Sequence, residues 1–277
     1  MMKIKFYDVE HGCCTHIITP NGKHILVDVG SKSDSSIVDH IRKHYTSTIH
    51  QLYITHPHED HIYDIPRLVE TMTLKVLSRP KDAFPIKPQK QEDTHQAIAD
   101  AVNNLNETYT TPIADDDSPT NENNNGGVEF ETIQAPLSKR TKDDLNTFSN
   151  IIIVKYQGWK FVLMGDNPSS ILQYMIDNDI SDIKSKVDDA TILLAPHHGR
   201  SGEFCKDYFN CVNPILSIIS DKPIVHTTQN DSSSLYKGRG CELYGSMRYV
   251  LSTRKDGNIT FEVTKDNCTV SYSKDEY

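Results

Sequence analysis

The sequence predicts a mixed α/β fold, and three observations carry that reading. Short apolar runs with strand-like alternation or β-branching recur along the 277 residues. Segments with apolar residues at three- and four-residue spacing lie between them. The side chains suited to chemistry sit just past the ends of the apolar runs, where an α/β fold builds its sites. No internal repeat or long linker divides the chain, which at 36% hydrophobic is able to bury one substantial core. A single domain over residues 1–277 is expected, with a variable insertion around 80–127.

The elements follow in order. Lys3–Val9 alternates as a strand and breaks at Glu10-His11-Gly12. Thr15–Thr19 and His24–Val29 pair through the hairpin signal Asn21-Gly22. Ser33–Tyr45 reads as a helix with Ser/Asp cap chemistry, and His40, His44 and His50 around its far end are expected to be solvated. Gln51–Ile54 is a short buried strand, followed by a polar turn and a helix patterned on Ile62, Ile65, Leu68, Val69 and Met72. Leu74–Leu77 is the next strand, and Pro80–Gln91, with three prolines, is a loop.

Glu92–Tyr109 carries helical spacing at Ile98, Val102 and Leu105, and His95 falls on this helix as a surface residue. Asp115–Gly127 has almost nothing to bury and is expected to be an exposed, mobile loop. Val128–Gln134 restarts the strand pattern. Ile151–Tyr156 and Trp159–Met164 then form a hairpin around Gln157-Gly158 that ends at Gly165-Asp166. A helix over Ser169–Asn178 starts behind Asn167-Pro168. Ala190–Ala195 is a continuous apolar strand delivering Pro196-His197-His198-Gly199. Further strands are expected at Ile215–Ile219, Arg248–Thr253, Ile259–Val263 and Thr269–Tyr272.

The densest chemistry lies in Thr55-His56-Pro57-His58-Glu59-Asp60-His61. Pro57 keeps a helix from starting at once, so the cluster occupies a turn at a strand end. Imidazole nitrogen and carboxylate oxygen suit Zn²⁺, Mn²⁺ or Fe at a hydrolytic centre. His56 and His58 are spaced to share one ion, and Asp60 and His61 to take a second. Asp166, behind an apolar strand and a glycine, has two oxygens with which to bridge two cations. His197 and His198 leave their strand in different directions, which implies one metal ligand and one histidine facing substrate.

Composition excludes several functions. A net charge of −9 argues against a protein that coats nucleic acid, although divalent ions would reverse the field locally. The six cysteines form neither Cys-x-x-Cys pairs nor a regular framework, and no signal sequence opens the chain. Reduced thiols in a cytoplasmic protein are expected. No apolar run approaches the roughly 18 residues of a membrane-spanning helix. Glycine-rich phosphate loops, nucleophilic serine triads and dinucleotide fingerprints are absent.

The His-x-His-x-Asp-His spacing of His56–His61 resembles the metallo-β-lactamase superfamily. Asp8–Gly12, Leu26–Gly30, Asn146 to Ser149, Gly165-Asp166 and Pro196–Gly199 occur in the order of one branch, that of the hydrolase domain of the competence channel ComEC. This likeness covers about residues 3–265, without the channel portion. It implies an αββα four-layer sandwich and two divalent ions, Zn²⁺ or Mn²⁺, on His56, His58, Asp60, His61, Asp166 and His198. Asp28 would orient the metal turn by hydrogen bonds, and His197 would face substrate. His11, Arg200 and His226 are candidates for the substrate rim. The sequence departs from the branch at Glu10-His11. It also has no histidine between His61 and His197 except His95, so the ion on His56 and His58 is expected to be short of a protein ligand.

The resemblance implies a hydrolase of phosphodiester bonds in which two cations activate a shared water. Asp60 would orient that water and His197 would donate to the leaving oxygen. Nucleic acid is the leading substrate expected, with Lys81, Lys87, Lys90 and Arg200 as phosphate contacts. The alternatives are a small-molecule phosphodiesterase acting on cyclic nucleotides or phosphocholine, an amide or thioester hydrolase, and a metal-holding, non-catalytic subunit of a larger complex. A partner protein and the oligomeric state are left open.

Overall fold

The computed structural model describes residues 1–114, 118, 121–222 and 232–274. Among these, the strand-patterned segments assemble into two large sheets. In spatial order, the first contains Cys268–Ser273, Asn258–Val263, Met2–Phe6, Thr15–Ile18, His24–Val27, Gln51–Tyr53 and Leu77–Ser78. Its neighbours are antiparallel up to His24–Val27 and parallel beyond it. The second contains Val250–Ser252, Leu216–Ile219, Ile192–Leu194, Trp159–Leu163, Ile151–Tyr156 and Glu129–Ile133. Its first four strands are parallel and the last three antiparallel, sharing Trp159–Leu163.

Period-two alternation explains the layering. Ile4, Phe6, Ile25, Val27 and Tyr53 from the first sheet meet Ile152, Val154, Phe161, Leu163 and Ile218 from the second in a shared core. Their alternate neighbours face outward. Leu26 and Leu52 pack under the helices Ile37–His44, Ile65–Thr71 and Asp93–Thr108. Ile153, Val162 and Leu193 pack under Ser169–Asp177 and Lys206–Val212. The result is the four-layer αββα sandwich of the metallo-β-lactamase fold.

Several boundaries differ from the sequence reading, each for a local reason. The helix at Ser33–Tyr45 covers only Ile37–His44, because Ser36 caps it by accepting from the Asp39 N–H at 3.0 Å. The helix after the polar turn is split into Glu59–Ile62 and Ile65–Thr71, the latter with Pro66 in its first turn. Leu74–Leu77 is not one strand. Thr73–Leu74 pairs with Thr48–Ile49, whereas Leu77–Ser78 extends the first sheet. Arg248–Thr253 divides likewise: Ser246–Arg248 pairs with Cys241–Leu243, and Val250–Ser252 edges the second sheet.

The helices Ile183–Val187 and Lys206–Val212 escaped the sequence reading, being too short to establish a period. In the acidic stretch at 115–127, Glu122–Asn125 is not exposed throughout. Asn125 is buried, and the Asn124 carbonyl accepts from the Asn21 side chain at 2.9 Å.

His40 and His50 are partly covered, whereas His44 is exposed. The rings at His16 and His24 face each other at 2.9 Å, His50 Nδ1 accepts from the His24 N–H at 3.0 Å, and His40 packs edge-on against Tyr7. The six cysteines are free thiols. No helix among the described residues is long and apolar enough to cross a membrane.

Candidate metal centre

The polar turn follows Gln51–Tyr53 at one end of the sandwich, and its backbone is gripped from two sides. A Cβ on Gly12 would meet the Asp60 carbonyl oxygen at 2.4 Å, and one on Gly30 would meet the same atom at 2.2 Å. Only glycine permits both approaches. The Cys13 N–H donates to that carbonyl at 3.3 Å, and the Val29 N–H donates to the carbonyl of His61 at 2.7 Å.

Asp28 sits beneath the turn, buried and with φ +59. Its Oδ1 accepts from the Thr55 N–H at 2.7 Å. Its Oδ2 accepts from the Thr55 hydroxyl and from His61 Nδ1, both at 2.7 Å. With the Nδ1 proton directed to Asp28, the lone pair of His61 Nε2 faces the opposite way.

The second sheet delivers its side chains to the same point. Asp166 follows Trp159–Leu163 and is held by its N–H donating to Ser149 Oγ at 3.0 Å. His198 lies past Ile192–Leu194, where both His197 (φ +48) and His198 (φ +53) adopt left-handed backbone. That turn points the His198 Nδ1–H at the Ser220 carbonyl, 2.9 Å away, and again aims Nε2 inward. The Asn150 N–H donates to the Thr55 carbonyl at 2.9 Å, joining the two sheets directly beneath the centre.

Asp60, His61, Asp166 and His198 thereby converge. His198 Nε2 lies 3.1 Å from Asp60 Oδ2 and 3.4 Å from Asp166 Oδ2. His61 Nε2 lies 3.2 Å from Asp166 Oδ1 and 4.0 Å from Asp60 Oδ2. Bonds of about 2.0–2.2 Å to one ion hold its ligand atoms within about 4.4 Å of each other; these four distances are inside that limit, and one ligand atom from each residue lies within 4.8 Å of the others. A second group abuts the first: His56 Nε2 is 3.1 Å from His58 Nδ1 and 3.9 Å from Asp166 Oδ2. One carboxylate therefore borders both groups.

The buried atoms His61 Nε2 and Asp166 Oδ1 have no hydrogen-bond partner among the described residues despite facing each other. Orphaned polar atoms with this donor chemistry fit a divalent cation. Electrostatics agrees. Burial pushes the Asp60 and Asp166 carboxyls up, but His61 and His198 outweigh it and hold both below the usual carboxylate range. Burial likewise disfavours charge on His61 and His198, but the surrounding carboxylates, Asp166 foremost, hold both above the ordinary histidine value. A cation held by these residues would take the place of those protons. Burial, reinforced by His61, keeps His56 well below its ordinary value, hence neutral.

The remaining candidates divide. His11 reaches the centre: its ring lies 4.3 Å from that of His198, Nε2 is 3.6 Å from Asp60 Oδ2, and Nδ1 is 3.3 Å from Asp221 Oδ1. His197 lines the adjoining cleft, and its Nε2 accepts from Arg200 Nη1 at 2.9 Å. Lys90 also lines this cleft, whereas Lys81 lines a separate cavity near Tyr109 and Lys87 lines neither. His226 lies outside the described residues.

The sequence reading gave no site role to three residues around the centre. Asp221 orients His11. Asn146 lines the cleft with a buried Oδ1 that lacks a partner among the described residues. His95 sits on an outer helix, as expected, but its Nδ1 is hydrogen-bonded to Glu59 Oε2 and its side chain is only 13% exposed. A signal existed, because His95, Ile98, Val102 and Leu105 share one helical stripe.

Residues 11–110, about a third of the chain, match the model of the family described as Anti-Pycsar protein Apyc1. That span includes Asp28 and the His56–His61 turn but neither Asp166 nor His198. No curated protein matches the sequence. Among solved structures, Tm1679, a metal-dependent hydrolase of the β-lactamase superfamily, is 15% identical with a TM-score of 0.54, covering 95% of this chain and 100% of that one. Igni18, a metallo hydrolase from the archaeon Ignicoccus hospitalis, is 14% identical with a TM-score of 0.50, over the same shares of both chains. These likenesses establish the fold. The narrower resemblance to the ComEC hydrolase domain finds no support among them.

Proposed function

We propose that this protein is a metal-dependent phosphodiesterase with two cation positions, acting on small cyclic nucleotides. The observation that carries the reading is the buried pair His61 Nε2 and Asp166 Oδ1, 3.2 Å apart yet without a hydrogen bond among the described residues, with Asp166 lining a cleft of about 660 Å³. Asp60, His61, Asp166 and His198 would hold one cation, and His56, His58 and Asp166 the other. Such cations, when bound, supply an activated water and the charge that stabilises a phosphoryl transition state.

The protein's own residues supply the rest. Asp28 and the Ser220 carbonyl fix the rings of His61 and His198, so the ligand set is organised before any ion arrives. Burial, with Arg200 adding to it, holds His197 below its ordinary value and therefore neutral. Because its Nε2 accepts from Arg200, we assign His197 to orienting that guanidinium at the cleft wall, in place of the proton donation expected from sequence. His11, anchored on Asp221, lines the same cleft beside His198.

Small cyclic phosphodiesters take precedence over nucleic acid, reversing the ranking drawn from motif order. The cleft's cations are Lys90, Arg200 and Lys222, which suit one phosphate at one mouth, and the net charge of −9 disfavours a polyanion track. We read the match of residues 11–110 to the Anti-Pycsar protein Apyc1 model toward the same substrate class.

The test offers purified protein, with Mn²⁺ or Zn²⁺, a panel of cyclic mononucleotides alongside single-stranded and duplex DNA. The expected result is ring opening to linear mononucleotides that stops with chelator and in Asp60→Ala. DNA cleavage with cyclic nucleotides untouched would restore the nuclease reading. No cleavage of any phosphodiester would overturn both.

A further inference from the structure

Glu59 stands between two candidate ligands in the polar turn, yet its carboxylate turns away from the cation cluster. It is buried, and each of its oxygens has a partner on the 80–110 segment. Oε1 accepts from the Gln89 N–H at 3.1 Å, and Oε2 is bound by His95 Nδ1. On its other side His95 Nε2 lies 3.6 Å from Glu92 Oε2. The loop is pinned again at Ile86: its N–H donates to Asn103 Oδ1, and its carbonyl accepts from Asn103 Nδ2, both at 2.9 Å. Lys142 Nζ donates to the Phe84 carbonyl at 3.2 Å. A proline-rich segment that composition marks as a loose surface loop is thus tied to the metal turn, to the helix Asp93–Thr108 and to the second sheet's connection.

Gln89 and Lys90, immediately after the Glu59 contact, line the cleft that also contains Asp60, Asp166 and His198. Lys90 is exposed, and Arg200 and Lys222 line the same cleft.

We propose that Glu59 and His95 are positioning residues that fasten the 86–92 segment to the metal turn, and that this clamp presents Lys90 to the anionic phosphodiester of the substrate. The clamp makes the segment a fixed wall of the site, so the loop that ranks as a variable insertion contributes to substrate specificity. A lysine ammonium is a point charge on a flexible stem, so its value depends on where the backbone holds it. Ordering that backbone before substrate arrives removes a cost otherwise charged against binding. The substrate role of Lys90 rests on the phosphodiesterase reading; the clamp itself does not.

The experiment uses the full chain loaded with Mn²⁺ and compares Lys90→Ala, His95→Ala, the double variant and Glu59→Gln. Hydrogen exchange is read at residues 84–92, metal content by elemental analysis, and kinetics on a cyclic mononucleotide. Exchange at Gln89 and Lys90 is expected to rise at least tenfold in His95→Ala and Glu59→Gln, with metal content unchanged. Lys90→Ala is expected to raise KM about tenfold while kcat falls less than twofold, the signature of lost uniform binding. His95→Ala should raise KM similarly although it lies off the cleft, and the double variant should add little to either.

Unaltered exchange in both clamp variants would overturn the clamp. Raised exchange with KM unchanged would overturn the presentation of Lys90. If the wild type cleaves no phosphodiester, the substrate role of Lys90 falls with the proposed function, while the exchange data still decide the clamp.

Discussion

His61 donates its Nδ1–H to Asp28 Oδ2 over 2.7 Å, with both side chains buried. Asp28 spends its other contacts on the Thr55 N–H and hydroxyl, so one carboxylate sets both the backbone of the metal turn and the tautomer of a ligand histidine. Asp28→Asn replaces an acceptor with an amide that presents two N–H groups as well as one oxygen, and the register of three donors cannot be kept. We expect metal affinity about 10–100-fold weaker, measured by chelator competition. Wild-type affinity in a folded variant would contradict the arrangement.

Asp166 borders both histidine groups, 3.4 Å from His198 Nε2 and 3.9 Å from His56 Nε2. If it joins two cation positions, Asp166→Ala should not cost one ion alone. Elemental analysis after dialysis should fall from two divalent ions per chain to well under one, with phosphodiesterase activity down at least about 100-fold. Retention of one full equivalent would show that the groups act independently.

Much of this centre was legible because its signals are local. His56, His58, Asp60 and His61 lie within six residues, and Asp166 and His198 each follow an apolar strand, so type and position identified them together. The sheets were legible for a similar reason, since alternation in Lys3–Val9 or Ile151–Tyr156 needs no distant partner to be recognised. Asp221 and Glu59 were opaque. Each acts through a residue far away in sequence, 210 positions for the His11 contact and 36 for the His95 contact. His40 and His50 misled for a different reason. Polar residues near a helix end usually meet water, but here His50 Nδ1 accepts from the His24 N–H and His40 packs against Tyr7 and His44, contacts that only the packed structure reveals.

Gly30 tests how tightly the turn is gripped. An added Cβ would sit 2.2 Å from the Asp60 carbonyl oxygen and 2.8 Å from that of Cys13, both backbone atoms with no rotamer to relieve the clash. Gly30→Ala must displace the segment that carries Asp60. A loss of about 2–3 kcal/mol in urea unfolding is expected, together with weakened metal binding. A variant as stable as wild type, with unchanged metal affinity, would mean that the turn has slack.

The buried His16, paired with His24, predicts how stability responds to acid. Burial, followed by His24, Lys5 and His40, lowers His16 from its ordinary 6.5 to about 3. The unfolded chain therefore takes up a proton as pH falls through 6.5, whereas the folded chain refuses it until about pH 3. The unfolded state binds more protons across that window, so stability is complete above pH 6.5 and declines as pH falls, by about 1.4 kcal/mol per unit for this group. His16→Gln retains a hydrogen-bonding group toward His24 but cannot titrate. Between pH 7 and pH 5, wild type should lose about 2 kcal/mol more than His16→Gln in urea unfolding. Parallel losses in the two proteins would place the acid sensitivity elsewhere.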